Sequence, residues 1–128
     1  MGNVHEACFL NPSVFEKVTP DMTLAKEEIF GLVACILRAG DLEECIAMIN
    51  ASPFENAASI FTTCGKWARR CQYEVDTGNA GINVGIAAPM AFFPFGGRED
   101  SFFGVLHGQG KDVMRFFTEP KILITGWF

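Results

Sequence analysis

The chain has 128 residues and a formal net charge of −5, with 49% hydrophobic and 20% charged residues. This length and composition predict one globular domain and argue against a disordered chain. Lys and Arg are scattered rather than clustered, which argues against a nucleic-acid-binding protein. No apolar run reaches the roughly 18 residues that a membrane helix needs. The first eleven residues also lack the basic start and apolar core of a signal peptide, so we expect no membrane partner.

The five cysteines indicate reduced thiols in an intracellular protein, in the cytoplasm or the mitochondrial matrix. Their number is odd, their spacing is irregular and no Cys-x-x-Cys pair is present. The two histidines, His5 and His107, do not stand at ligand spacing from any cysteine. We therefore expect neither a disulfide framework nor a metal site.

The first half of the chain alternates between extended and helical patterns. Phe9–Val18 predicts short extended pieces, and Thr19-Pro20-Asp21 predicts the turn that closes them. The apolar run Leu32–Leu37 predicts a strand buried on both faces, as in parallel sheets. Asp41 is the predicted N-cap of a helix that Ser52-Pro53 ends. The predicted apolar face of this helix consists of Leu42, Cys45, Ile46 and Ile49.

The alternation continues through the next thirty residues. Ala58–Thr62 predicts a strand, Lys66–Asp76 a helix with Gly78 as its stop, and Ile82–Val84 a third strand. The predicted helix carries an apolar stripe made of Trp67, Cys71 and Val75. Strands that alternate with helices predict an α/β fold with helices packed across one sheet.

The pattern changes after Gly85. Ala87–Gly104 contains Pro, Gly and five Phe without a period, which predicts a long ordered loop, and loops of this length are usually functional. Lys111–Phe117 predicts a short helix, and Lys121–Trp127 predicts a last strand.

Two adjacent carboxylates in the segment Lys26–Gly31 precede the strand predicted at Leu32. Open α/β sheets bind ligands at a strand edge, and an ionised Glu only accepts hydrogen bonds, which suits the hydroxyls of a ribose. From composition alone, a solvated acidic turn is the simpler interpretation of this segment.

The segment Lys26-Glu27-Glu28-Ile29-Phe30-Gly31 is similar to an element of the aldehyde dehydrogenase family, and Pro94-Phe95-Gly96-Gly97 resembles its substrate-side loop. The resemblance implies that Glu28 holds the ribose of NAD, that Phe30 lies beside it, and that Phe95 walls the aldehyde channel. It implies an α/β fold that is the C-terminal part of a catalytic domain. Residues 1–120 would be part of that domain, and residues 121–128 would be a terminal oligomerisation strand.

Two further stretches indicate a subfamily. Ala88–Pro94 and Ser101-Phe102-Phe103-Gly104, followed by Leu106-His107, resemble the CoA-acylating methylmalonate or malonate semialdehyde dehydrogenases. In such enzymes a Cys thiolate adds to the aldehyde, hydride passes to NAD, and CoA takes the acyl group. The resemblance thus implies NAD as cofactor, CoA as co-substrate and a small aldehyde as substrate.

The nucleophilic cysteine and the dinucleotide-binding domain of the family would precede this chain, and none of its own cysteines is predicted to be catalytic. Three features depart from the family pattern. Leu32 stands where Pro is expected, Gly126 falls inside the predicted last strand, and Glu99-Asp100 would disfavour an anionic substrate nearby. We therefore expect the isolated chain to be a catalytically inactive fragment.

Apolar side chains that this chain cannot bury by itself favour association with other subunits. With thirteen Phe and no upstream domain, the chain is expected to expose several hundred Å² of apolar surface. Homo-oligomerisation or co-assembly with full-length subunits would cover that surface. The alternatives are a non-catalytic assembly module, which adds the strand Lys121–Phe128 to another sheet, and a piece of a generic hydrolytic aldehyde dehydrogenase.

Overall fold

The computed structural model describes residues 11–128, and the chain divides into two compact units, Met1–Ser52 and Pro53–Phe128. The first unit contains β1 (Ser13–Phe15), α1 (Thr23–Lys26), β2 (Val33–Cys35) and α2 (Leu42–Asn50). The second contains β3 (Ala57–Ile60), α3 (Gly65–Glu74), β4 (Asn79–Ile82) and α4 (Asp112–Phe117). The predicted α/β class is therefore confirmed.

The strands form two separate parallel pairs, where the sequence predicted one sheet. In the first unit β1 pairs with β2, with Ser13 opposite Val33 and Phe15 opposite Cys35. In the second unit β3 pairs with β4 from Ala57↔Asn79 to Ile60↔Ile82. The prediction of a single sheet was wrong because an alternation of strands and helices does not encode which strands share hydrogen bonds.

The third strand was predicted at Ile82–Val84, but β4 covers Asn79–Ile82. The prediction was therefore three residues late at its start and two residues late at its end. Asn83 ends the strand at a φ of 56°, a left-handed conformation that Asn tolerates better than most residues. Its side chain then extends the pairing, because Oδ1 accepts from the Thr62 amide at 2.8 Å and Nδ2 donates to the Thr62 carbonyl at 3.0 Å.

Side chains at the N-terminus of helix α2 fix the residue at which the helix begins. The Asp41 side chain accepts a hydrogen bond from the Glu44 amide at 2.9 Å, and the Glu44 carboxylate accepts one from the Gly40 amide at 2.6 Å. This reciprocal arrangement satisfies amides at the helix start that have no partner within the helix. On the predicted apolar face, Ile46 is buried.

Gly78 does not act as a helix stop. Helix α3 ends at Glu74, and Val75 already has an extended backbone. A Cβ at Gly78 would overlap the backbone of Gly96 and would lie 2.6 Å from the Gly97 Cα. Gly78 is therefore required for the close approach of the loop that follows Phe95.

Apolar cover is sparse in the described residues. Val18 and Ile46 are the buried hydrophobic side chains in this part of the chain. The run Leu32–Leu37 was predicted to be buried on both faces, but Leu32 is 61% exposed and both Ile36 and Leu37 are more than one-third exposed. That prediction was wrong for this chain, because burial on both faces needs helices packed over both faces, and neither α1 nor α2 packs extensively on β1–β2.

The C-terminal segment 121–128 forms neither a helix nor a strand. Its apolar side chains are almost fully exposed, with Ile124 at 90% and Trp127 at 95%. A strand exists only when its backbone pairs with another strand, and among residues 11–128 none pairs with this segment. The terminal strand and the boundary at residue 121 remain predictions. Within residues 11–128, no helix has the length and apolar character needed to cross a membrane.

The cap of α2 gives a direct test of this local structure. Asp41→Ala removes the acceptor for the Glu44 amide and is expected to destabilise α2 by ~1 kcal/mol. Backbone amides of α2 should then exchange with solvent roughly five times faster in deuterium-exchange measurements. Asp41→Asn is the matched control, because Asn also caps helices; equal exchange in Asp41→Ala and in the unchanged chain would contradict the assignment.

Candidate functional site

The segment Lys26–Gly31 leaves α1 and enters β2. The Glu27 amide donates to the Thr23 carbonyl at 2.9 Å, which closes the last turn of α1. Glu28 follows in an exposed position, and its carboxylate makes no ion pair or hydrogen bond with any residue in the described part of the chain. The carboxylate therefore has its full capacity to accept hydrogen bonds from a ligand.

Phe30 is held in an unusual conformation two residues later. Its φ is 50°, and its side chain is 90% exposed. A bulky residue at positive φ costs on the order of 1–3 kcal/mol, and such residues concentrate at functional sites. The amide of Val33 donates to the Gly31 carbonyl at 2.8 Å, so a tight turn directly follows the strained residue.

The position of this segment in the sheet differs from the expected one. Ligands in open α/β folds bind at the carboxyl ends of parallel strands. Glu28 and Phe30 precede Val33, so they lie at the amino end of β2. The sheet-edge rule therefore does not explain Glu28, and the case for it rests on its free carboxylate and its strained neighbour.

In the second unit, the loop Gly96–Ser101 crosses the amino ends of β3 and β4. The Asn79 side-chain amide donates to the Gly96 carbonyl at 2.7 Å and to the Asn56 carbonyl at 3.1 Å. The Glu55 amide donates to the Ser101 hydroxyl oxygen at 3.0 Å. One side chain and one hydroxyl thus attach the predicted functional loop to the residues that precede both strands.

Arg98 connects the same loop to two acids. Its Nη1 lies 2.7 Å from Asp76 Oδ1, and its Nε lies 3.6 Å from Glu55 Oε2. Hydrogen bonding to Asp76 is the main cause that raises the pKa of Arg98, and the charge of Glu55 adds to it. Glu55 is 7% exposed, and its Oε2 makes no hydrogen bond among the described residues. Arg98 is therefore the cation that neutralises a buried carboxylate; we call Glu55, Asp76 and Arg98 the loop clamp.

Beyond the loop clamp, aromatic side chains line an open pocket of about 390 Å³. The His107 ring stacks on Phe102 with centroids 3.9 Å apart and planes at 23°. It also meets Phe95 at 5.3 Å and 60°. The residues that line the cavity are Asn56, Phe95, Ser101, Phe102, Phe103, Leu106, His107, Gly108 and Phe116.

Phe95, the predicted channel wall, also borders a second cavity of about 310 Å³. This cavity is lined by small residues of β3, together with residues 85–88 of the following loop. Phe95 is half-buried and contributes to both spaces. A side chain that borders two cavities is suited to the wall predicted from the resemblance.

The cysteines among the described residues differ in exposure. Cys35, Cys45 and Cys71 are half-buried, and the Cys35 thiol lies 3.6 Å from the Leu24 carbonyl. Cys64 is exposed at the N-cap of α3, without a side-chain capping bond. Cys8 lies outside the described residues. No group of three or more potential metal ligands occurs among residues 11–128.

The predicted site residues belong to different units. Glu28 and Phe30 lie in the first unit and Phe95 lies in the second, so each is described within its own unit. The sequence analysis did not predict Glu55, because an isolated acid between Phe54 and Asn56 carries no signal of burial. The segment that contains His107 was recognised as a subfamily feature, but its cavity was not predicted.

A family model described as "Aldehyde dehydrogenase family" matches residues 2–123. The chain is 51% identical over 123 residues to malonate-semialdehyde dehydrogenase 1 of Geobacillus kaustophilus, covering 96% of this chain and 25% of that protein. It is 46% identical over 122 residues to the protein of the same name from Geobacillus thermodenitrificans, covering 95% of this chain and 25% of that protein. The chain thus spans about a quarter of the length of the curated relatives it matches.

Solved structures agree with these relatives. A methylmalonate-semialdehyde dehydrogenase from Oceanimonas doudoroffii superposes with a TM-score of 0.83 at 37% identity, covering 87% of this chain and 23% of that one. A Sinorhizobium meliloti protein, provisionally assigned as a methylmalonate-semialdehyde dehydrogenase and complexed with NAD, gives a TM-score of 0.84 at 37% identity. The coverage is again 87% of this chain and 23% of that one.

The loop clamp predicts an asymmetric response to substitution. Arg98→Met leaves the buried Glu55 carboxylate without its cation, and this should lower the urea midpoint of the second unit. Glu55→Gln removes the buried charge and should lower the midpoint less. Fluorescence of Trp67 reports the transition, because this residue lies on α3 of the second unit, whereas Trp127 is already 95% exposed in the folded chain. The double variant should be more stable than Arg98→Met alone; a double variant that shows the sum of the two single losses would contradict the clamp.

Proposed function

We propose that this chain, which belongs to the aldehyde dehydrogenase family, is part of an NAD-dependent semialdehyde dehydrogenase of the CoA-acylating type. The observation that carries this proposal is the 51% identity to a malonate-semialdehyde dehydrogenase over 96% of the chain. The cavity beside Phe95 adds support, because six of its nine lining residues come from the segment 101–108. That segment contains the residues that resemble the CoA-acylating subfamily rather than hydrolytic relatives.

The proposed role of the first unit is to hold the cofactor. Glu28 accepts hydrogen bonds from the ribose hydroxyls of NAD, and Phe30 packs beside the sugar. NAD, when bound, supplies the hydride acceptor for aldehyde oxidation. The exposed, unpartnered Glu28 carboxylate and the strained, exposed Phe30 fit this role. The complex of the Sinorhizobium meliloti protein with NAD is a further reason to propose NAD.

The proposed role of the second unit is to shape the substrate pocket. Phe95 walls the aldehyde channel, and the loop clamp keeps its loop in place. CoA is the proposed acceptor of the acyl group. The proposed nucleophile is a cysteine of the part of a family polypeptide that this chain does not cover, as the resemblance implies.

The proposed partner is therefore a polypeptide that supplies the rest of the family fold, as a longer form of this chain or as a separate full-length subunit. Two isolated parallel strand pairs leave backbone edges unpaired and apolar faces uncovered. Parallel sheets in folded proteins are covered on both faces. The exposed side chains of Ile36, Leu37, Ile82 and Val84 fit that requirement.

A second candidate function is a non-catalytic assembly module. The exposed apolar segment 121–128 favours it, because Ile122, Leu123 and Ile124 are 79–90% exposed and carry no pairing of their own. An extended segment of this kind adds to the open edge of another sheet through backbone hydrogen bonds. In this case the chain would associate with family subunits without contributing to turnover.

Complementation separates these two candidates. The chain is refolded with the Geobacillus kaustophilus relative truncated to remove its matching quarter. The chain alone should give no NADH from malonate semialdehyde, NAD and CoA, whereas the mixture should give NADH and an acyl-CoA product. A mixture that co-purifies but shows no turnover would indicate the assembly module. NADH formed at equal rates with and without CoA would indicate a hydrolytic enzyme.

Glu28 provides the sharper test of the cofactor role. In the complemented enzyme, Glu28→Gln removes the charge that strengthens the hydrogen bonds to the ribose, which are worth about 1.5–3 kcal/mol each. The KM for NAD should rise roughly 10- to 100-fold. Glu27→Gln, one residue away, is the matched control and should leave the KM near that of the unchanged enzyme. Equal KM values for both variants would exclude Glu28 as the cofactor ligand.

A further inference from the structure

The segment Ser101–Gly108 lines one cavity. Six of its residues line the 390 Å³ space, and Phe95, Asn56 and Phe116 complete it. Apolar side chains form most of the wall, so a polar group here has few competing partners. A cavity of this size falls within the range of small-molecule sites, which combine apolar walls with a small number of polar groups.

His107 is the titratable group in that wall. Its ring is half-buried, and contacts with Phe102 at 3.9 Å and Phe95 at 5.3 Å define its position. Within the part of the chain that the structure describes, neither ring nitrogen makes a hydrogen bond. The ring is therefore oriented by stacking while its hydrogen-bonding capacity remains unused.

None of the charged residues near the cavity lines it, so His107 is the candidate for a positive charge in the cavity wall. Arg98 is paired with Glu55 and Asp76, and neither Arg98 nor any Lys lines the cavity. Glu99 and Asp100 are exposed and do not line it either. His107 is the one lining side chain that can carry positive charge, and each of its protonation states offers at least one N–H donor.

We propose that His107 is a specificity-determining residue that binds the carboxylate end of the semialdehyde, while Phe95 walls its aldehyde end. This inference rests on the proposed function, because it takes a semialdehyde acid as the substrate. His107 donates a ring N–H to the carboxylate, and the Phe102 and Phe95 rings that contact the imidazole fix the position of that donor. Charged hydrogen bonds are the strong ones, and an aldehyde without a carboxylate cannot form this one.

Ligand-observed shifts on the chain itself test the proposal. The chain has two histidines, His5 and His107, so their imidazole resonances can be assigned with a His5→Gln variant. Propionate is the probe for the carboxylate end, and propionamide is its uncharged analogue. Propionate at concentrations on the order of millimolar should produce a saturable shift of the His107 resonances and of the Gly108 amide. Propionamide should produce at least tenfold less change.

Two variants identify the group that binds. His107→Phe keeps an aromatic ring on Phe102 but has no N–H, so the propionate-dependent shift of the Gly108 amide should disappear. Leu106→Ala alters an apolar part of the same wall and should retain that shift. Equal shifts with propionate and propionamide, or an unchanged response in His107→Phe, would overturn the proposal. These outcomes are independent of turnover, so they are distinguishable from a failure of the proposed enzymatic function.

Discussion

The structure depends on one constraint: each of its parallel strand pairs needs cover that the described chain does not provide. The backbone hydrogen bonds of β1–β2 and β3–β4 are made, but among residues 11–128 only Val18 and Ile46 are buried hydrophobic side chains. Because parallel sheets are stable when both faces are packed, local order here comes from capping, turns and side-chain bonds. Apolar surface therefore remains exposed on this chain, which spans about a quarter of the length of the curated relatives it matches.

Polar contacts therefore define the functional loop in the second unit. Asn79 holds the Gly96 carbonyl, Ser101 accepts from the Glu55 amide, and Arg98 lies between Glu55 and Asp76. A buried carboxylate without a cation would be costly, so the position of Arg98 is tied to the burial of Glu55. Phe95 directly precedes this loop, and most of the residues that line the cavity with His107 follow it. Loop geometry and pocket shape are consequently linked through one ion-paired cluster.

The sequence predicted local elements well and long-range relations poorly. The Asp41 cap, helix α3 and the irregular stretch 87–104 were predicted because capping residues, periodicity and Pro/Gly content act over a few residues. The pairing into two separate sheets, the early start of β4 and the burial of Glu55 depend on residues distant in sequence. Resemblance identified the family and selected Glu28, Phe30 and Phe95, whereas composition alone favoured a solvated turn at Glu28. The cavity beside His107 required coordinates, because stacking between Phe102 and His107 follows no periodic pattern.

The backbone at Phe30 has a consequence for the timing of ligand binding. Its positive φ and the tight turn at Gly31 belong to the folded backbone itself. The conformational cost at this residue is therefore met when the polypeptide folds, and ligand binding does not have to supply it again. Because the backbone fixes the direction in which this exposed ring leaves the turn, a ligand that contacts the ring meets a partly preorganised surface. If Phe30 has the proposed cofactor role, the affinity for the cofactor is therefore separate from the conformational cost of forming the turn.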